Sequence, residues 1–131
     1  MSKAKQTYVV NYKKEIEEDV FVDRSVKIKM DMNALCELED VMDMKIPNIG
    51  EMVQERRLGI KEVRAMLWAG LLHQNPDITM KEAGDILTGA GFAEALKVVI
   101  QAMGEALTGG KTPEQLEKEA KEAEGSEAPK N

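Results

Sequence analysis

Between Thr7 and Met30 apolar and polar positions alternate: Tyr8, Val10 and Tyr12 stand against polar neighbours, followed by Val20, Val22, Val26, Ile28 and Met30. A period of two places those side chains on one face of an extended chain, so the pattern predicts two strands. The acidic run Glu15, Glu17, Glu18 and Asp19 between them reads as a solvated hairpin loop. A lone hairpin is marginal in water, and its apolar face therefore requires the helices that follow as a packing surface.

The period changes after Asp31, which stands where a helix N-cap belongs. Met32, Leu35, Leu38 and Met42 recur at helical spacing, widened by Ala34 and Val41, and predict a first helix of about three turns. Pro47 closes that region, because a residue before proline is biased out of the helical basin. Asn48 is then the expected cap of a second helix carrying Ile49, Met52 and Val53 and ending near Gly59. In the third helix Ile60, Val63, Leu67 and Gly70 or Leu71 form one stripe, which Met66, Trp68 and Leu72 widen until little polar surface remains. Such a helix belongs at the centre of the fold, and it should stop near His73, with Asn75-Pro76-Asp77 as the turn. Thr79-Met80-Lys81-Glu82 is a capping box opening a short helix with Met80, Ala83, Ile86 and Leu87. Gly89-Ala90-Gly91 interrupts it. Phe92, Leu96, Val99, Met103 and Leu107, with Ala95, Ile100 and Ala106 beside them, mark a last core helix ended by Gly109-Gly110.

These elements predict an α+β fold that is mainly α: an N-terminal β-hairpin, residues 7–30, packed on a bundle of about five helices, residues 31–110, in one globular domain. Residues 1–6 read as a flexible N-terminus. Thr112-Pro113-Glu114-Gln115 is a further helix-start signature, yet only Leu116 follows as a large apolar residue. Residues 111–131 are accordingly expected to form a polar, frayed and disordered tail.

Composition narrows the function classes. Aromatic residues make up 4% of the chain and nine methionines supply core volume instead, which suits packed helices. A formal net charge of -6 opposes nucleic acid and anionic membrane surfaces as partners, since phosphate binding needs a basic face. Lys27 and Lys29 lie on the second strand, while Arg56, Arg57, Lys61 and Arg64 interleave with Glu51, Glu55 and Glu62 as a solvated helical face. Cys36 is the single cysteine and has no internal disulfide partner, and no apolar run opens the chain, so an intracellular protein is expected. The apolar stretch Ala65–Leu72 is far too short to cross a bilayer.

No catalytic constellation emerges. With one His and one Cys, a zinc site would depend on carboxylates, and neither His73 nor Cys36 has a second ligand at useful spacing. Cys36 reads as a small buried side chain of the first helix, and His73 as a polar group near a helix C-terminus. A Cys36/His73 nucleophilic pair has no local support, and no glycine elbow surrounds Ser2, Ser25 or Ser126. The expectation is a non-enzymatic protein without cofactor or metal that works by binding other proteins. Its candidate partner-binding residues are Met44 and Ile46, just past the first helix, with Trp68 and Leu72 on the third. Self-association is also expected, because further apolar surface can be buried between copies.

The blocks Asn33-Ala34-Leu35-Cys36-Glu37-Leu38-Glu39-Asp40, Val63-Arg64-Ala65-Met66-Leu67-Trp68-Ala69-Gly70-Leu71 and Pro76-Asp77-Ile78-Thr79-Met80-Lys81-Glu82-Ala83-Gly84 resemble small phage tail assembly chaperones, including those of gene transfer agents. The resemblance covers somewhat over half the chain. It implies a protein that binds the tape measure protein and keeps it soluble while tail tube subunits assemble around it. It further implies a place in the host cell cytoplasm and absence from the mature virion. The polar end matches a short form, an extended form being the one that recruits the tail tube protein. The acidic insertion between the strands departs from the family pattern. The alternative is a structural tail or head-tail connector component retained in the virion.

Overall fold

The computed structural model describes residues 7–108. The expected flexible N-terminus, the stop at Gly109-Gly110 and the polar tail lie outside the described residues. Two antiparallel strands, β1 (Thr7–Glu17) and β2 (Val20–Lys29), precede five helices: α1 (Met32–Met42), α2 (Ile46–Gln54), α3 (Ile60–Leu71), α4 (Met80–Ala90) and α5 (Phe92–Thr108). This is the α+β, mainly α architecture that the change of period implies.

The strands run through the acidic segment instead of stopping before it. Glu15 pairs with Phe21 and Glu17 with Val20, leaving Glu18 and Asp19 alone to turn the chain. Asp19 takes φ 63°, a left-handed conformation that aspartate tolerates better than most residues, and its amide donates to Glu15 Oε2 at 3.0 Å. The register shifts between Glu15 and Glu17, where Ile16 is the extra residue of a bulge. The expected loop was too long because the acidic side chains are solvated on a strand as readily as in a loop.

One hairpin face carries Tyr8, Val10 and Tyr12 opposite Ile28, Val26 and Arg24. Val10 and Ile28 are fully buried, and Tyr8, Tyr12 and Val26 pack against the same core. The helix α3 is central as expected, packing against α1, α4, α5 and β2. Its Gly70 lets β2 approach: a β-carbon there would lie 2.8 Å from Ile28 Cβ. Ile28, Leu38, Ile49, Met66, Leu67 and Met103 are among the largest side chains removed entirely from water. Burying such side chains is each worth roughly 1.5–3 kcal/mol.

The apolar stripes begin later than their spacing suggests. Met32 is 72% exposed and Ile60 66%, and Phe92 is exposed as well. All three are the first residues of their helices. The first turn extends past the packed layer, so periodicity places them on the inner face while the helix end leaves them in water. Val41 is also exposed, whereas Val98 and Ala102, which the stripe of α5 did not include, are buried.

Two helix boundaries differ for chemical reasons. Pro47 lies inside the first turn of α2 and does not end a region, because its missing N–H would have no intrahelical partner there. Asn48 is consequently not the cap. Lys45 holds the N-cap position without a side-chain bond, and Glu39 Oε2 reaches from α1 to accept the Ile46 amide at 2.8 Å. Arg56, at φ 59°, ends the region soon after Gln54, well before Gly59. Gly89 and Ala90 belong to α4, and Gly91 alone, at φ 89°, breaks it from α5. The capping box at Thr79 and Glu82 forms as expected, with Thr79 Oγ1 accepting the Glu82 amide at 3.1 Å and Glu82 Oε1 accepting the Thr79 amide at 2.9 Å.

Candidate functional site

The four residues expected to contact a partner are all half-buried. Met44, Ile46, Trp68 and Leu72 pack against the core, with part of each side chain left at the surface. Trp68 is anchored: its indole Nε1 donates to the Ile78 carbonyl at 2.9 Å, tying α3 to the loop before α4. A tryptophan so held braces that loop. Met44 and Ile46 are fixed by the Glu39 junction, since the Met44 amide donates to the Glu39 carbonyl at 3.3 Å.

The chemistry-bearing side chains are dispersed. Cys36 is exposed, which corrects the expectation of a small buried residue: it occupies the outer side of α1, while Ala34, Leu35 and Leu38 face inward. His73 lies just beyond α3, where its Nε2 hydrogen-bonds the Lys27 carbonyl at 3.0 Å. Among the described residues no three His, Cys, Asp or Glu side chains are placed to hold a metal ion, and no single helix is long and apolar enough to cross a membrane. Among the described residues the one perturbed group is Tyr8, whose hydroxyl donates to Glu105 Oε1 of α5. Burial first, then the hydrogen bond and the charge of Glu105, push its pKa up to about 12. That pair fastens the first strand to the last described helix.

Surface relief lies along the hairpin. The outer half of the arm, past Lys13 and Asp23, overhangs α4 and leaves an open cleft of about 1030 Å³ between Tyr12, Phe21 and Val26 on one side and Leu71, Ile78 and Ile86 on the other. The arm meets the bundle at Gly89, where a β-carbon would lie 2.2 Å from the Lys13 carbonyl oxygen. Beyond that crossing Ile16, Val20 and Phe21 are 52%, 43% and 54% exposed. Sequence reasoning missed these three. Their signal was apolar residues flanking an acidic run: assigning that run to a loop hid the part of β1 that carries Ile16, and the alternation gave Val20 an inward face on the second strand.

The family model described as phage tail tube protein, GTA-gp10, matches residues 17–109, and the chain belongs to that family. The match starts at the last residue of β1 and takes in β2 and all five helices. Comparison with curated proteins and with solved structures gives no match.

The chain is thus a phage tail protein, but the expected tail assembly chaperone is overturned. A tube protein is a structural part of the tail, so the expectations of a purely cytoplasmic place and of absence from the finished particle fall with the chaperone role. The blocks that suggested a chaperone follow the helical core, and a helical core does not specify whether its owner stays in the particle.

Proposed function

We propose that this chain is a structural component of a phage tail, retained in the virion, where it works by contact between subunits. The observation that carries this reading is the tail tube family match over residues 17–109. The physical character of the domain agrees with it. Exposed apolar side chains on the hairpin arm are surface that a structural subunit buries against its neighbours. The Tyr8 and Gly89 contacts pin the arm's base, so the arm is presented in one orientation and less ordering entropy is lost on assembly.

Gold-labelled antibodies against this chain, applied to intact and to disrupted particles, test the role. Label along the tail is the expected result. Label confined to the head-tail joint would assign it to the connector, and no label on either preparation would overturn the structural role.

A further inference from the structure

The hairpin arm is a two-stranded sheet whose outer half has nothing packed over its exposed apolar side chains. Ile16, Val20 and Phe21 surround a turn made acidic by Glu15, Glu17, Glu18 and Asp19. Among the described residues none of those four carboxylates is in an ion pair; the arm's single salt bridge is Lys13–Asp23 at 2.6 Å, nearer its base. The arm therefore offers a specific combination of negative charge around an apolar centre.

The complementary combination is found on the same molecule, at the start of α3. Ile60 is 66% exposed there, with Arg56 and Lys61 exposed beside it and Arg64 one turn on. Two of the three local carboxylates are already engaged, and Glu51, a turn earlier on α2, is exposed without a partner among the described residues. Glu55 holds Arg57 Nε at 2.6 Å, and Glu62 Oε1 accepts the Gly59 amide at 2.7 Å. Arg56, Lys61 and Arg64 have no ion-pair partner among the described residues, and the buried Nε of Arg64 has no hydrogen-bond partner.

We infer that the acidic tip of the hairpin arm in one copy docks on the Arg56/Ile60/Lys61/Arg64 surface of a second copy of this chain. Ile16 and Val20 cover Ile60, and Glu17 and Glu18 meet Arg56 and Lys61. One such contact leaves the pair with one free tip and one free socket, so repetition gives a ring or a filament, according to the rotation per step, whereas a reciprocal exchange closes as a two-fold dimer. Exposed charge steers and registers such a contact, while the apolar centre supplies most of its strength. The inference rests on the structural role proposed above, which requires copies that join in series.

The test uses the full chain in sedimentation velocity over a range of concentration and salt, with three variants: Glu17→Lys with Glu18→Lys, Arg56→Glu with Lys61→Glu, and all four together. All four positions are exposed, and circular dichroism melts verify that each variant folds. Each double reversal is expected to weaken self-association by about tenfold or more, and the fourfold variant to recover most of it, since opposite charges face each other again. Wild-type association should weaken with added salt. Unchanged association in either double variant, no recovery in the fourfold variant, or a wild-type chain that stays monomeric would each overturn this interface. The structural role is read separately from label on particles, so a monomer in solution with labelled tails sinks the interface alone.

Discussion

Gly89 of α4 and Lys13 of β1 meet backbone to backbone, so closely that a β-carbon at position 89 would fall 2.2 Å from the Lys13 carbonyl oxygen. No rotamer change relieves such a clash, because the atom in the way belongs to the main chain of a paired strand. This contact sets where the hairpin arm leaves the bundle, and hence where its apolar tip is presented.

Gly89→Ala should therefore destabilise the fold by about 1–3 kcal/mol, more than the roughly 1 kcal/mol that alanine gains over glycine within a helix. Gly104→Ala is the internal control. Position 104 lies within α5 with nothing within 4 Å of an added β-carbon, so there the helix gain should appear as stabilisation of up to about 1 kcal/mol. Urea denaturation of both variants checks the opposite signs.

The burial of Tyr8, together with its bond to Glu105, gives stability a dependence on alkaline pH. The folded pKa of Tyr8 is raised from 10.0 to about 12, so the fold favours the neutral hydroxyl. That contribution is complete below pH 10 and is lost as the pH rises through about 12. Over this window the wild type should lose stability more steeply than Tyr8→Phe, which has no hydroxyl to ionise. Parallel slopes in denaturation midpoints measured from pH 9 to 12 would show that Tyr8 is not the group responsible.

At the start of α4, Thr79→Ala removes the oxygen that accepts the Glu82 amide. The expected cost is about 1 kcal/mol, within the usual range of 0.5–2 for a lost N-cap. Thermal unfolding followed by circular dichroism measures it. Glu82→Gln should cost less, because an amide oxygen still accepts the Thr79 N–H.

Much of this architecture was legible because local rules and tertiary packing agree. The period of two around Val10 and Ile28, the wide stripe of α3 and the Thr79–Glu82 box each specify their element without outside help. The differences arise where a local rule meets the end of an element. Met32, Ile60 and Phe92 satisfy helical spacing, yet as first residues they project past the packed layer. Pro47 looks like a terminator until the Glu39 carboxylate, seven residues from the Ile46 amide it binds, is seen to cap α2 from a neighbouring helix. Trp68, an expected contact residue, stays half-buried, and its indole Nε1 donates to the Ile78 carbonyl, a bond that no spacing encodes. The apolar arm escaped notice because Glu15 and Glu17 resemble loop residues, and only strand pairing with Phe21 and Val20 brings Ile16 and its neighbours to one tip.

The functional expectation failed for a different reason. Helix order and composition are shared by proteins that assist assembly and proteins that remain in the product, and nothing in the core residues around Met66 and Leu67 distinguishes them. The family match over residues 17–109 does.

Quantitative mass spectrometry of gradient-purified virions or gene transfer particles decides whether the chain is retained in the particle. A structural subunit leaves peptides of this chain in repeated copies per particle, enriched when tails are isolated from heads. Particles of full infectivity that contain none would contradict that role.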